Sequence, residues 1–137
     1  DELSYRVIRE KATALLARTE GPPARMDELP RNFSGGMQQR VQIARALSTG
    51  APLLLLDEVT TGLDLSVQAR ILDLIMELQE VTGVSMLVVT HDLGVVRHLT
   101  TRTIVVKYGR IIESGLTDQI LEDPQAAYTQ QLVSSAL

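Results

Sequence analysis

The sequence has no cysteine, no tryptophan and a single phenylalanine. The first absence excludes a disulfide framework and a thiolate metal site, and it is compatible with a reducing compartment. The second and third leave Leu, Val, Ile and Ala to fill the interior, because apolar residues still make up 45% of the chain. That composition suits helices packed on a parallel sheet. No apolar run approaches the length of about 20 residues that a membrane-spanning helix needs, and the longest, Ala51 to Leu56, has the length of a strand. With 13 basic against 17 acidic residues the net charge is −4, and no basic cluster extends beyond a residue or two. A nucleic-acid-binding face is therefore not indicated. Also missing is a glycine-rich loop ending in Gly-Lys-Ser or Gly-Lys-Thr, the usual cradle for nucleotide phosphates. The chain opens with Asp1-Glu2, without an initiator Met or a charged and apolar leader, as expected of a piece of something longer. At 137 residues its ceiling is one compact core, hiding roughly 68 to 70% of the unfolded surface.

What is present alternates between helical and strand periods. Leu3, Val7, Ile8, Ala12, Leu15 and Leu16 recur at helical spacing until Gly21-Pro22-Pro23 breaks the pattern. Met37, Val41, Ala44 and Leu47 mark one face of a second helix reaching about Ser48, closed by Gly50 and Pro52. Leu53 to Leu56 is too short an apolar run for a helix and reads as a strand covered on both faces. Val67, Ile71, Leu74, Ile75 and Leu78 stripe a third helix, with Asp64 or Ser66 placed to cap it and Thr82-Gly83 to end it. Val84 to Val89 is the next strand, and a short helix covers Leu93 to Leu99. Thr103 to Val106 and Arg110 to Glu113 form a hairpin around Tyr108-Gly109, and two small helices follow. Strand, helix, strand with right-handed crossovers implies an α/β layer structure with a parallel sheet, whose polar work sits at the C-terminal ends of its strands.

Two stretches carry the chemistry. Phe33-Ser34-Gly35-Gly36-Met37-Gln38-Gln39-Arg40 opens a helix, where unsatisfied N–H groups and the positive end of the dipole attract an anion and two glycines allow a phosphate to approach the backbone. For an isolated Ser-Gly-Gly, simple capping by Ser34 is the better reading. Asp57 and Glu58 stand where the apolar strand emerges from the core, so a pair of carboxylates points into a cleft, where it is costly without a partner. Mg²⁺ held through water by Asp57 relieves that cost, and Glu58 is then placed to orient or deprotonate an attacking water. Two solvated carboxylates at a strand end are the plainer alternative. His91, directly after Val88-Val89-Thr90, is by itself as compatible with a helix cap or a surface position.

Together, Ser34 to Arg40, Leu53 to Glu58, Thr60-Thr61-Gly62-Leu63-Asp64 and His91 resemble, in this order, four motifs of the ATP-binding cassette (ABC) ATPases: the signature, Walker B, the D-loop and the switch histidine. The resemblance implies the P-loop NTPase, RecA-like α/β fold, with residues 1–48 ending the helical subdomain and residues 49–137 forming the C-terminal part of the ATPase core. It implies ATP and Mg²⁺ as cofactors and Asp57 as the metal ligand through water. Glu58 would be the catalytic base and His91 the γ-phosphate sensor. Ser34, Gly35, Gly36 and Gln38 would grip a nucleotide held by the opposite subunit, and Gly62, Leu63 and Asp64 would touch that second ATPase subunit. Val59 stands where the family normally has Pro, which loosens the turn that aims Glu58, and Thr61 is a common-variant position; Ala126-Ala127 replace the His-Pro pair usual before Tyr128 in the oligopeptide and nickel importer branch.

Ser66 to Arg70, Asp123-Pro124 and Tyr128-Thr129 are similar to the oligopeptide and nickel importer branch. Within it, Asp27-Glu28-Leu29-Pro30, Gln38-Gln39, Glu113 to Asp118 and Leu132 to Ser135 resemble an accessory ATPase of the bacterial carbon-phosphorus lyase system. That likeness implies a cytoplasmic subunit partnering the lyase core complex in phosphonate catabolism. The alternative is an importer ATPase bound peripherally to a membrane permease, and a third reading is an inert folding or interaction module. Because phosphoryl transfer depends on positioning and charge stabilisation by the phosphate loop, the 137-residue chain alone is expected to show no Mg²⁺-dependent ATP turnover. A steady-state phosphate-release assay checks this, and turnover abolished by Glu58→Gln would contradict it.

Overall fold

The expected succession of helices and strands is present in the computed structural model, which describes residues 35–136. The helix predicted over Leu3 to Leu16, and Ser34, lie outside the described residues. Length alone set a ceiling of one core, yet the chain is organised as two compact units, one ending at Leu87 and one beginning at Val88.

The first unit contains α1 (Gly35–Ser48), β1 (Leu53–Asp57) and α2 (Leu65–Thr82), and leads into β2 (Ser85–Val89). Ile71, Leu72, Leu74, Ile75 and Leu78 on α2 are all buried, which is the apolar stripe seen in the sequence with Leu72 added and with Val67, its first member, only half-buried. The helix starts at Asp64, whose Oδ1 accepts the Val67 N–H at 2.9 Å. It stops at Gly83, which adopts φ 65° and donates its N–H to the Gln79 carbonyl, a left-handed turn that costs glycine nothing. Helix α1 packs against α2, and its most buried described side chain is Ile43, a position that the spacing from Met37 to Leu47 did not select.

Strands β1 and β2 are paired, and the Ser85 N–H donates to the Pro52 carbonyl at 3.2 Å, so both strands start at the same end and run in parallel. The expectation that β1 is covered on both faces is not met. Leu54 and Leu56 are buried, whereas Leu53 and Leu55 are 54% and 59% exposed. Successive side chains of a strand point to opposite faces, and only one face of this two-stranded sheet is covered. Among the described residues the β1–β2 pair and the hairpin described next are two separate two-stranded sheets.

The second unit contains α3 (Leu93–Leu99), β3 (Arg102–Lys107), β4 (Arg110–Leu116), α4 (Thr117–Glu122) and α5 (Ala127–Ser135). The hairpin turn uses Tyr108 at φ 49° and Gly109 at φ 72°, two consecutive left-handed residues whose twist matches that of the flanking strands. A bulge between Val105 and Val106 shifts the register from Val105↔Glu113 to Val106↔Ile111, leaving Ile112 as the extra residue. Val95, Val105, Ile120 and Leu121 are buried. Around them three hydroxyls close on one another: the Thr117 Oγ1 lies 2.9 Å from that of Thr100 and 2.7 Å from that of Thr103. This satisfies the buried Thr117 and ties α3, β3 and α4 together.

Helix α5 begins at Ala126, which has no capping side chain. Its cap comes from the sheet: Glu113 accepts the Gln125 N–H at 2.9 Å and the Ala126 N–H at 2.8 Å. These bonds, the Gln125 contact first, hold the Glu113 carboxyl below its ordinary range. Lys107 Nζ adds a cation–π contact, 4.5 Å from the Tyr128 ring centroid. A carboxylate whose folded pKa is depressed contributes stability above its unfolded pKa and loses it as pH falls through the folded value. Glu113→Gln is therefore expected to lower the melting temperature at neutral pH and to leave it less sensitive to acid below about pH 4.5. Melting curves of both proteins between neutral and acid pH check the two effects.

Candidate functional site

Helix α1 puts Gly35 and Gly36 in its first turn, with no acidic residue there to neutralise its positive end. Gln38 is half-buried two positions further on. Such a terminus suits an anion. Ser34, which the sequence places at the cap, is outside the described residues.

Asp57 is the last residue of β1 and is exposed. Glu58 follows with φ 52°. For a residue with a Cβ this left-handed conformation is strained by about 1–3 kcal/mol, and it turns the chain sharply away from the strand. The next residues form two overlapping turns, in which the Thr61 N–H donates to the Glu58 carbonyl at 3.2 Å and the Leu63 N–H to the Thr60 carbonyl at 3.3 Å. Thr60 is inward and only 8% exposed. Thr61 is outward, and its hydroxyl donates to Glu58 Oε2 at 3.0 Å. Gly62 takes φ 77°, and Asp64 then caps α2. Asp57, Glu58, Gly62, Leu63 and Asp64 are thus brought together on one continuous turn between a strand covered on one face and a capped helix.

Asp64 does two things on that turn. Its Oδ1 accepts the Val67 N–H and the Ser66 hydroxyl, the latter at 2.8 Å, and these contacts, Val67 first, hold its carboxyl below the ordinary range. The residue expected to face a second subunit is therefore already committed to its own helix.

His91 belongs to the second unit. It is exposed and lies just beyond β2, where Asp92 donates its N–H to Thr90 Oγ1 at 3.1 Å and caps α3 through Gly94 and Val95. The capping role open to His91 in the sequence is taken by its neighbour. His98 is on α3 and exposed.

Among the described residues no group of three or more His, Cys, Asp or Glu side chains gathers to hold a metal. The single exposed carboxylate of Asp57 fits Mg²⁺ instead, an ion that keeps several waters and takes one or two carboxylates together with substrate phosphates.

In comparison with known proteins, residues 5–61 fit the family model described as ABC transporter. The chain belongs to the ABC ATPase family. It is 53% identical over 133 residues to the phosphonates utilization ATP-binding protein PhnK of Escherichia coli, covering 97% of this chain and 53% of that protein. To the oligopeptide transport ATP-binding protein OppD of Bacillus subtilis it is 41% identical over 137 residues, covering 98% of this chain and 38% of the relative. Among solved structures, the cassette MJ0796 in a dimeric post-hydrolysis state with ADP and Pi superimposes with a TM-score of 0.67 at 35% identity, covering 79% of this chain and 46% of that one. The chain thus spans about half the length, or less, of the relatives it matches. ABC ATPases hydrolyse ATP, and the fold expected from the sequence, a P-loop NTPase core of α/β type, is the one observed.

Sequence reasoning missed the Thr61 hydroxyl on Glu58. The available signal was a hydroxyl three residues after an acid within a turn, a spacing at which side chains meet. For Asp64, Asn keeps the oxygen that accepts the Val67 N–H and Ala does not. Asp64→Ala is expected to lower the melting temperature clearly, and Asp64→Asn much less, in parallel thermal scans.

Proposed function

We propose that this chain is the part of an ABC ATPase subunit that carries the signature, the catalytic acid and the switch histidine, and that the subunit hydrolyses ATP in a dimer. The observation that carries the reading is the Asp57-Glu58 pair at the exit of β1, with Glu58 held by the turn that leads to Asp64. Residues 1–48 belong to the helical subdomain and residues 49–137 to the ATPase core. Asp57 would hold Mg²⁺ through water, and the ion would supply charge neutralisation for the nucleotide's phosphates. Glu58 accepts a proton from the attacking water or orients it, a role worth about 10² to 10⁴ in rate. His91 contacts the γ-phosphate. Ser34, Gly35, Gly36 and Gln38 close on the nucleotide of the opposite subunit, and Gly62, Leu63 and Asp64 line the junction between subunits.

The identity to PhnK supports service to the carbon-phosphorus lyase complex in phosphonate catabolism. The identity to OppD supports the second reading, an importer subunit on a membrane permease. No described helix is long and apolar enough to cross a membrane. Affinity purification of the complete protein separates them: soluble lyase subunits support the first and a membrane permease the second.

In that complete protein Glu58→Gln is expected to bind ATP and arrest hydrolysis, because the amide keeps the shape and removes the base. Ser34→Arg is expected to obstruct the composite site from the other side. Mixing the two variants is expected to restore one intact site per dimer and up to about half of wild-type turnover per site pair. Hydrolysis by Glu58→Gln at the wild-type rate would refute the catalytic assignment.

A further inference from the structure

We propose that Thr61 is a positioning residue for ATP hydrolysis, setting the direction of the Glu58 carboxyl through its own side chain. The proposal rests on the reading of Glu58 as the base and adds to it a role for one hydroxyl of the Thr60 to Asp64 stretch that the comparisons do not assign.

Two bonds join the same pair of residues. The Thr61 N–H holds the Glu58 carbonyl at 3.2 Å, which fixes the backbone of the turn. The Thr61 hydroxyl holds Glu58 Oε2 at 3.0 Å, which fixes the far end of the side chain. A glutamate has three rotatable side-chain bonds, so a rigid backbone alone does not aim its carboxyl. A donor at the carboxyl does. The bond is made at Oε2. Thr61 is itself exposed, while its neighbour Thr60 is buried and anchors the turn from within. The threonine therefore sits on fixed backbone with its hydroxyl on the same side as the acid.

The left-handed backbone of Glu58 sets the direction from which this second bond acts. At φ 52° the side chain leaves the strand in a direction that neither extended nor helical backbone provides. Proline at position 59 would push the preceding residue toward extended conformations. Val59 imposes no such restriction, so Glu58 is free to adopt the left-handed turn, and the Thr61 hydroxyl then selects one orientation of its carboxyl. Val59 and Thr61 are coupled in this account: the first permits the turn and the second aims what the turn carries.

The test uses the complete protein, with ATPase kinetics, nucleotide-dependent dimerisation and amide hydrogen exchange over residues 58–64 measured side by side. Thr61→Ala is expected to lower kcat roughly tenfold with KM for ATP within about twofold, since misplacing a catalytic group acts on the reacting geometry rather than on binding. Thr61→Ser is expected to restore kcat to within about twofold and Thr61→Val is not, because only the hydroxyl matters. Exchange at residues 58–64 is expected to quicken in the Ala and Val variants and not in the Ser variant. In a Val59→Pro background the Ala substitution is expected to cost less than about twofold, a non-additivity that reports the coupling. A Thr61→Ala protein with wild-type kcat, or one whose loss follows from weakened dimerisation, overturns the proposal. The underlying reading fails separately: Glu58→Gln with wild-type hydrolysis removes the base itself, whereas arrest by Glu58→Gln together with an unaffected Thr61→Ala rejects Thr61 alone.

Discussion

The left-handed turn at Glu58 is possible only because both of its ends are fixed. On one side Leu54 and Leu56 bury β1 to its last turn of chain, and on the other Asp64 caps a helix whose stripe from Ile71 to Leu78 is wholly inward. Between them lie only a few residues, one of which, Thr60, is drawn inside. Strain of about 1–3 kcal/mol at a single residue is small beside the burial of several Leu and Ile side chains, each contributing about 1.5–3 kcal/mol. The core can therefore hold a carboxylate in a conformation that it would abandon in a free peptide, and the acid is presented at the exit of the strand without needing a deep pocket.

The second unit solves a different problem, that of ending several short elements without long capping sequences. Ala126 has no cap of its own, so β4 supplies one from Glu113. Thr117 is buried as a polar group, so Thr100 and Thr103 satisfy it. Borrowed contacts of this kind make the hairpin, α4 and α5 mutually dependent. They also account for the tolerance of Ala126-Ala127 where the importer branch carries His-Pro: the helix start is fixed by main-chain N–H groups, which any residue except proline provides.

Much of this was legible in advance, for reasons that particular residues show. Gly83 and the Asp64 to Val67 spacing mark both ends of α2 because helix caps are local devices, readable from a few neighbouring side chains. Tyr108-Gly109 marks the hairpin for the same reason. What escaped depended on partners distant in sequence or on geometry that spacing does not encode. The four-leucine run of β1 reads the same whether one face or both are covered, and the choice depends on what packs against it. The Glu113 cap joins residues 113 and 126 across two elements. The bulge at Ile112 leaves no mark in an apolar run. At the site, the acidic pair was legible because its chemistry needs adjacent carboxylates at a strand end, while the sign of φ at Glu58 had no counterpart in the sequence.

The placement of the aromatic rings governs how this protein can be watched. With no tryptophan and three tyrosines in the chain, the two rings within the described residues are Tyr108, 92% exposed at the hairpin tip, and Tyr128, lying under the Lys107 ammonium. Both belong to the second unit. Near-ultraviolet absorption and emission from these rings therefore report on the hairpin and the final helix, and they are blind to the turn that carries Glu58. Tyr5 contributes to the same bands, and the long helix of the first unit is read together with the shorter helices of the second in the far-ultraviolet dichroism.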